Sequence, residues 1–285
     1  MKRIIGLILI FFLTGLTEGG EERYRVQAKE TIRETLSFID SSKTREVRVD
    51  NIFGSITVTG TDRHDVALLA HQTIKAQSQE KIAQAREEVK LDIYRDGNLI
   101  DIYVDGPFRE NDREERRHRR RDPGYRVHYD FEIQIPRKTE LSLKTVNDGD
   151  IRVESVEGNF EIRNVNGEIS LIAIGGGGTA HTVNGEVTAH FVRHPEHDCS
   201  LHTINGDIKT IFPPHLSADF RLKTFNGDAY SDFPYTPLPA DAPEIRKKRG
   251  KFIYKSSRFF GIRIGKGGPK IKMDTLNGDL LINQR

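Results

Sequence analysis

The feature that most constrains this chain is a short phrase, threonine–apolar–asparagine–glycine–acid–apolar, that keeps returning in its second half. It reads Thr145-Val146-Asn147-Asp148-Gly149-Asp150-Ile151, then Asn164-Val165-Asn166-Gly167-Glu168-Ile169, then Thr182-Val183-Asn184-Gly185-Glu186-Val187. Three more copies are Thr203-Ile204-Asn205-Gly206-Asp207-Ile208, Thr224-Phe225-Asn226-Gly227-Asp228-Ala229 and Thr275-Leu276-Asn277-Gly278-Asp279-Leu280. The turn glycines are separated by 18, 18, 21, 21 and then 51 residues, and Gly158 and Gly176 halve the first two intervals. A looser relative, Phe53-Gly54-Ser55-Ile56-Thr57-Val58, stands near the start. Periodicity of this kind marks a repeat architecture, in which no unit can bury its apolar face without its neighbours.

Each phrase is a strand, a tight corner and a strand. Asn-Gly is the pair most tolerant of positive φ, so the chain can turn sharply at little steric cost. Leu143-Lys144-Thr145 before one corner and Ile151-Arg152-Val153 after it alternate apolar and polar, the period of half-buried strands. Two folds use such units. In a β-solenoid each repeat is one coil and equivalent residues stack in files, whereas in a hairpin meander each Asn-Gly is a type I′ turn. The near-identity of every column favours the solenoid, because stacked coils place like beside like.

The first half differs. Residues 41–59, 65–76, 90–95, 99–104 and 125–135 read as strands, and 77–89 as the one helix, with Ile82, Ala85 and Val89 on a common face. Residues 21–44 are expected to be a linker into a β region over 45–140. The repeat region is expected over 141–285, with a basic insertion at 232–272 and with 45–285 as one continuous domain.

Residues 1–20 have the form of a secretory signal: Lys2 and Arg3, then an apolar run from Ile4 to Leu13, then small residues. The run is too short to span a bilayer as a helix, which takes about 20 residues, so export with cleavage to the periplasm, cell surface or medium is expected. The one cysteine, Cys199, excludes an internal disulfide framework and multi-cysteine metal sites. Forty-four Lys+Arg against 42 Asp+Glu leave a formal charge of +2, so any electrostatic function must reside in local patches, and no nucleic-acid partner is expected.

In its order of elements the chain resembles the bacterial putative-adhesin family of β-strand-repeat proteins. The likeness rests on the opening strand-glycine-strand rung, the helix, the junction Ile135-Pro136-Arg137-Lys138-Thr139-Glu140-Leu141, the serial repeats and the closing stretch Gly265 to Asp279. It covers roughly residues 45 to 283 and implies a β-helix-like fold, an exported location and a domain of unknown function, with no catalytic residues to carry over.

Several constellations invite a function. The acids after each turn glycine (Asp150, Glu168, Glu186, Asp207, Asp228, Asp279) form a column that could hold Ca²⁺, but each turn offers one carboxylate to an ion wanting six to eight oxygens, so a solvated edge is expected. Lys144, Arg163, His181, His202 and Lys223, with Asp274 ending the series, form a mostly basic stripe that could bind an anionic polymer but is expected to counter the acidic column. His181, His190, His194, His197 and His202 do not have zinc-site spacing, and no metal or cofactor is expected. Residues 109–122 carry seven Arg against five acids, a solvated loop. Residues 245–272 hold eleven Lys/Arg and no acid, interleaved with Phe252, Tyr254, Phe259 and Phe260. Arg246, Lys247, Lys248, Arg249, Lys251, Phe252 and Tyr254 are therefore the candidate ligand-binding residues, for an anionic surface polymer or membrane head groups. The competing reading is an edge hairpin whose lysines guard against aggregation.

Uniform columns argue against catalysis, which needs one locally distinct constellation. The expectation is an exported, non-enzymatic interaction module; the alternatives are a carbohydrate-active β-helix enzyme on acidic polysaccharide and a purely structural envelope protein.

Overall fold

Successive Asn-Gly corners lie on one another in parallel: Asn166 bridges Asn184, Asn184 bridges Asn205, and Asn277 bridges both Asn205 and Asn226. Parallel stacking is the β-solenoid, and it excludes a meander of antiparallel hairpins. The computed structural model describes residues 8–9, 24–40, 43–109, 122–239, 244–248, 251–255 and 259–285, with the backbone alone at 8–9, 244–248 and 251–255. It divides into two compact units, residues 1–152 and 153–285.

The first unit contains β1 (Ile8–Leu9), β2 (Val26–Ser37), β3 (Arg45–Asp50), β4 (Ile56–Thr61), β5 (Asp65–Ala76), α1 (Gln79–Glu88), β6 (Lys90–Asp96), β7 (Leu99–Asp105), a 3-10 turn at Pro107–Arg109, β8 (Tyr125–Pro136) and β9 (Thr139–Lys144). One sheet runs β1-β2-β5-β8-β4 and the other β9-β3-β7-β6. The expected signal segment 1–20 lies outside the described residues apart from the backbone of Ile8–Leu9, which pairs with Thr31 and Ile32. The expected linker over 21–44 contains a strand, β2, paired antiparallel with β5 along its whole length. Its run Lys29-Glu30-Thr31-Ile32-Arg33-Glu34 hides the alternation, because charges fall on both faces of a strand that is only partly covered, with Leu36 its one buried residue. Helix α1 is capped by Ser78, whose hydroxyl accepts from the Lys81 N–H, and buries Ile82 and Ala85. The looser phrase at Phe53-Gly54 is a true rung: Phe53 bridges Asn147, and the Thr145 hydroxyl donates to Gly54 O at 2.8 Å. Of the charged loop, residues 110–121 lie outside the described residues.

The second unit follows β10 (Ile151–Glu154), which straddles the division. Its coils pair one short strand before each corner with one after it: β11 (Phe160–Arg163) with β12 (Ile169–Ile174), β13 (Gly178–His181) with β14 (Val187–Phe191), β15 (Cys199–His202) with β16 (Ile208–Phe212), and β17 (Ala218–Lys223) with β18 (Ala229–Ser231). After β19 (Tyr235–Leu238), β20 (Glu244–Lys248), β21 (Lys251–Lys255) and β22 (Phe260–Ile264), the last coil is β23 (Lys270–Asp274) with β24 (Leu280–Gln284). Within this unit the sheet after the corners runs β12-β14-β16-β24-β18 and the sheet before them β11-β13-β15-β23-β17-β22-β19. The last coil in sequence therefore lies between the third and fourth in space. The far edge of β17 is taken by β22 in antiparallel register, so only its near edge is open to a parallel partner, and β23 fills it.

Inward residues repeat down the stack and are buried: Ile162, Ala180, Leu201, Met273 and Leu222 from one sheet face Ile169, Val187, Ile208 and Leu280 from the other. Phe191 and Phe212 stack at 4.8 Å between ring centroids. The corners carry two hydrogen-bond ladders. Asn184 donates its amide to Asn166 Oδ1 at 2.8 Å, Asn205 to Asn184 at 2.8 Å, Asn277 to Asn205 at 2.7 Å and Asn226 to Asn277 at 2.7 Å. The hydroxyls of Thr182, Thr203, Thr275 and Thr224 donate to the carbonyls of Gly167, Gly185, Gly206 and Gly278. Glycine, not the Asn-Gly pair, supplies the unusual backbone: Gly206 has φ +151° and Gly278 φ +152°, while none of the asparagines has positive φ. A Cβ on Gly206 would run into the Gly185 carbonyl, and one on Gly278 into that of Gly206.

Gly206→Ala therefore carries both backbone strain and a collision with main chain, and is expected to cost about 2–4 kcal/mol. Gly97→Ala, at φ +58° with nothing within 4 Å of the new Cβ, should cost only about 1–2 kcal/mol. Urea unfolding of both variants is the measurement; equal losses would contradict the close-approach argument.

Candidate functional site

The acidic column is built into the corner. Asp207 Oδ1 accepts the backbone N–H of Asp279 at 2.9 Å, and Asp279 Oδ1 accepts that of Asp228 at 2.9 Å. Lys209 Nζ donates to Glu186 at 2.8 Å and lies 4.0 Å from Asp207, and the Glu186 hydrogen bond raises the lysine pKa. Asp207 and Asp279 thus bind neighbouring main chain, and Glu186 takes Lys209 and the Thr188 hydroxyl. Among the described residues no group of three or more His, Cys, Asp or Glu converges as a metal site.

The stripe before the corners has a different order from the one read along the chain. Cα register places Arg163 beside His181, His181 beside His202, His202 beside Asp274, and Asp274 beside Lys223. Asp274 does not end the file; the inserted last coil puts it between His202 and Lys223. Its partners are Lys223 Nζ at 3.0 Å and His202 Nδ1 at 3.7 Å, while Arg163 pairs with Glu161 at 2.5 Å. The stripe is thus balanced within its own face, and it is Lys209 that counters the acidic column. The His181 and His202 rings meet edge to face, 4.5 Å between centroids. Burial, the neighbouring His202 and Arg163, in that order, lower the His181 pKa.

The other histidines do not join them. His190 lies on β14 in the opposite sheet, His194 Nε2 lies 3.0 Å from Pro214 O, and the His197 carbonyl is 3.8 Å from Cys199 Sγ. Cys199 is buried, and burial pushes its thiol pKa up to about 11.

The candidate binding residues form a ribbon. Strands β20 and β21 pair antiparallel, with Ile245 opposite Tyr254, Arg246 opposite Ile253, Lys247 opposite Phe252 and Lys248 opposite Lys251. Arg249 lies outside the described residues. The ribbon is a two-stranded sheet of its own, so the reading as an edge hairpin of the coil sheets does not hold among the described residues. It is inserted between β19 and β22, which pair with each other and, through β22, with β17. After the ribbon in the chain, the Phe259 ring lies 4.8 Å from Lys272 Nζ and 5.3 Å from Lys223 Nζ, a cation–π arrangement. Arg263 clasps Asp219 with two 2.7 Å hydrogen bonds, which lower the aspartate pKa. Lys223, Lys272 and Phe259 thus join the basic region in space. The density of cations over 245–272 hinted at Lys272, but Lys223 is far from it in sequence and only the coil order brings it near.

Together the fold and this surface define a β-solenoid of stacked strand–corner–strand coils carrying a cationic, aromatic end. Residues 26–250 match the Toastrack DUF4097 family, and the chain belongs to it. Solved structures with similarity include a "putative cell adhesion protein" from Clostridium sporogenes, 10% identical over 89% of this chain and 99% of that one, TM-score 0.33. Another is a "putative adhesin" from Bacteroides fragilis, 10% identical over 90% and 97%, TM-score 0.28. A third is a "putative lipid binding protein" from Parabacteroides distasonis, 9% identical over 89% and 96%, TM-score 0.33. None of the curated proteins compared matches.

Two outcomes follow. Cys199 should resist a thiol reagent in the native protein at pH 8 and react fully once urea unfolds it; rapid native labelling would contradict its burial. Because His181 has a lower pKa folded than the ordinary value of about 6.5, the unfolded chain binds more protons just below that pH, so stability present above the window is lost as pH falls through it. His181→Gln should shrink the drop in urea midpoint between pH 7.5 and pH 5; an unchanged drop would contradict the assignment.

Proposed function

We propose that this chain is an exported, non-catalytic envelope module of adhesin type that binds anionic surfaces, glycan or lipid head group, through the basic ribbon and the cationic face around Phe259. The observation that carries the reading is the ribbon's independence: Arg246, Lys247, Lys248, Lys251, Phe252 and Tyr254 belong to a strand pair that joins neither coil sheet. A strand pair whose sequence is rich in both cations and aromatics, and which stiffens no sheet, suits capture of anionic oxygens better than it suits folding. Lys272 adds to it, since among the described residues its ammonium meets an aromatic face and no carboxylate. The N-terminal apolar run supports export, and the uniformity of the coil columns supports a binding rather than a catalytic surface.

The test is binding of the protein lacking residues 1–20 to phosphatidylglycerol vesicles and, separately, to polygalacturonate, each at low and high salt. Binding to either should weaken with salt, and Lys247→Glu/Lys248→Glu/Arg249→Glu should lower affinity at least about tenfold, the effect of 1.4 kcal/mol. Unchanged affinity in the triple variant would sink the ribbon reading, and turnover of the polysaccharide would sink the non-catalytic one.

A further inference from the structure

The outer face of the sheet before the corners carries a file that crosses all five coils of the second unit: Arg163, His181, His202, Asp274 and Lys223 stand at successive Cα partners. Neighbouring positions in such a file are about 4.8 Å apart, so it extends roughly 19 Å along the stack. Its permanent charges stand toward the two ends and are paired there. Arg163 stands at one end with Glu161 against it, and Lys223 at the other with Asp274 between its ammonium and His202. The middle two positions are a pair of imidazoles in edge-to-face contact.

The groups facing this pair can be enumerated from the register. In the same file His181 has Arg163 on β11 and His202 on β15, and His202 has Asp274 on β23. The adjacent file toward the strand starts is Glu161, Thr179, Ser200, Lys272 and Arg221. Toward the corner stand Val183 and Ile204, half-buried and uncharged. The Phe259 ring with Lys272 and Lys223 completes the surface. The carboxylates of this neighbourhood, Glu161 and Asp274, are each within salt-bridge distance of a permanent cation. Protonation of both imidazoles therefore adds two charges to a file whose permanent charges are already paired, and turns a balanced file into a cationic track.

We infer that this file is a track for a linear polyanion, and that the His181–His202 pair makes its grip acid-strengthened: weak near neutral pH, tighter in a mildly acidic environment. The inference rests on the anionic-surface reading above and extends it from the ribbon to the flat coil face. Burial, the His202 ring and Arg163, in that order, hold the His181 pKa down while the face is empty. An anionic chain laid along the file supplies the counter-charge, so that protonation and binding favour each other by linkage.

The probe is dextran sulfate, whose sulfates stay ionised throughout, titrated into the protein lacking residues 1–20 at pH 7.5 and pH 5.5 over a range of salt. Affinity should rise several-fold at pH 5.5, and the slope of log K against log salt should steepen by about 1–2. In His181→Gln/His202→Gln the ratio of affinity at pH 5.5 to that at pH 7.5 should fall to about one; the single variants should each keep part of the increment, and circular dichroism checks that all three remain folded. A wild-type affinity that does not respond to pH, or a double variant that keeps the full response, overturns the track. Absence of binding at both pH values overturns the anionic-surface reading itself, a distinguishable result.

Discussion

The close approach of one corner to the next is the constraint on which the coil stack depends. Parallel coils can share Asn and Thr ladders only if their main chains touch at the corner, and they touch where the backbone has no Cβ. Gly185 against Gly167, Gly206 against Gly185, Gly278 against Gly206 and Gly227 against Gly278 repeat a single contact. The asparagine amides then donate in one direction along the file, and the threonine hydroxyls satisfy glycine carbonyls that would otherwise be turned away from water. Polar satisfaction and steric permission thus come from adjacent residues of one phrase, which explains why the phrase recurs as a block.

A stack held by one repeated contact is indifferent to the order in which its coils are added. The phrase at Thr275 meets the phrase at Thr203 in the same way that Thr203 meets Thr182, so nothing in the contact itself requires sequence order. What decides the order is at the strands: β22 turns back against β17 and closes one of its edges, and the last coil takes the other. That choice has a chemical consequence, because it sets Asp274 between His202 and Lys223 and brings Lys223 with Lys272 to Phe259.

The two faces of the stack also divide their labour. After the corner, Asp207 and Asp279 are consumed by main-chain N–H groups and Glu186 by Lys209, a structural use of charge. Charges before the corner pair with one another, Arg163 with Glu161 and Asp274 with Lys223 and His202, while Lys272 rests on an aromatic ring. The face before the corner also carries the Phe259 ring with Lys223 and Lys272, and Phe259 follows the basic ribbon in the chain.

Much of this was legible from the residues alone. The repeat phrase specifies coils, corners and the identity of the stacked files, because glycine spacing and strand alternation are local properties; α1, β5 and the rung at Phe53-Gly54 follow from the same local rules. Strand β2 was not legible, since its alternation is blurred by charges that its partial burial permits. Nor was the company each charge keeps. Six copies of one phrase carry no information about which copy neighbours which, and pairing is a property of strand edges that become free or occupied only once the chain has folded. The sequence by itself determined that like residues would form files; the tertiary structure alone decided the order within them, and with it which charges are neutralised and which remain to act.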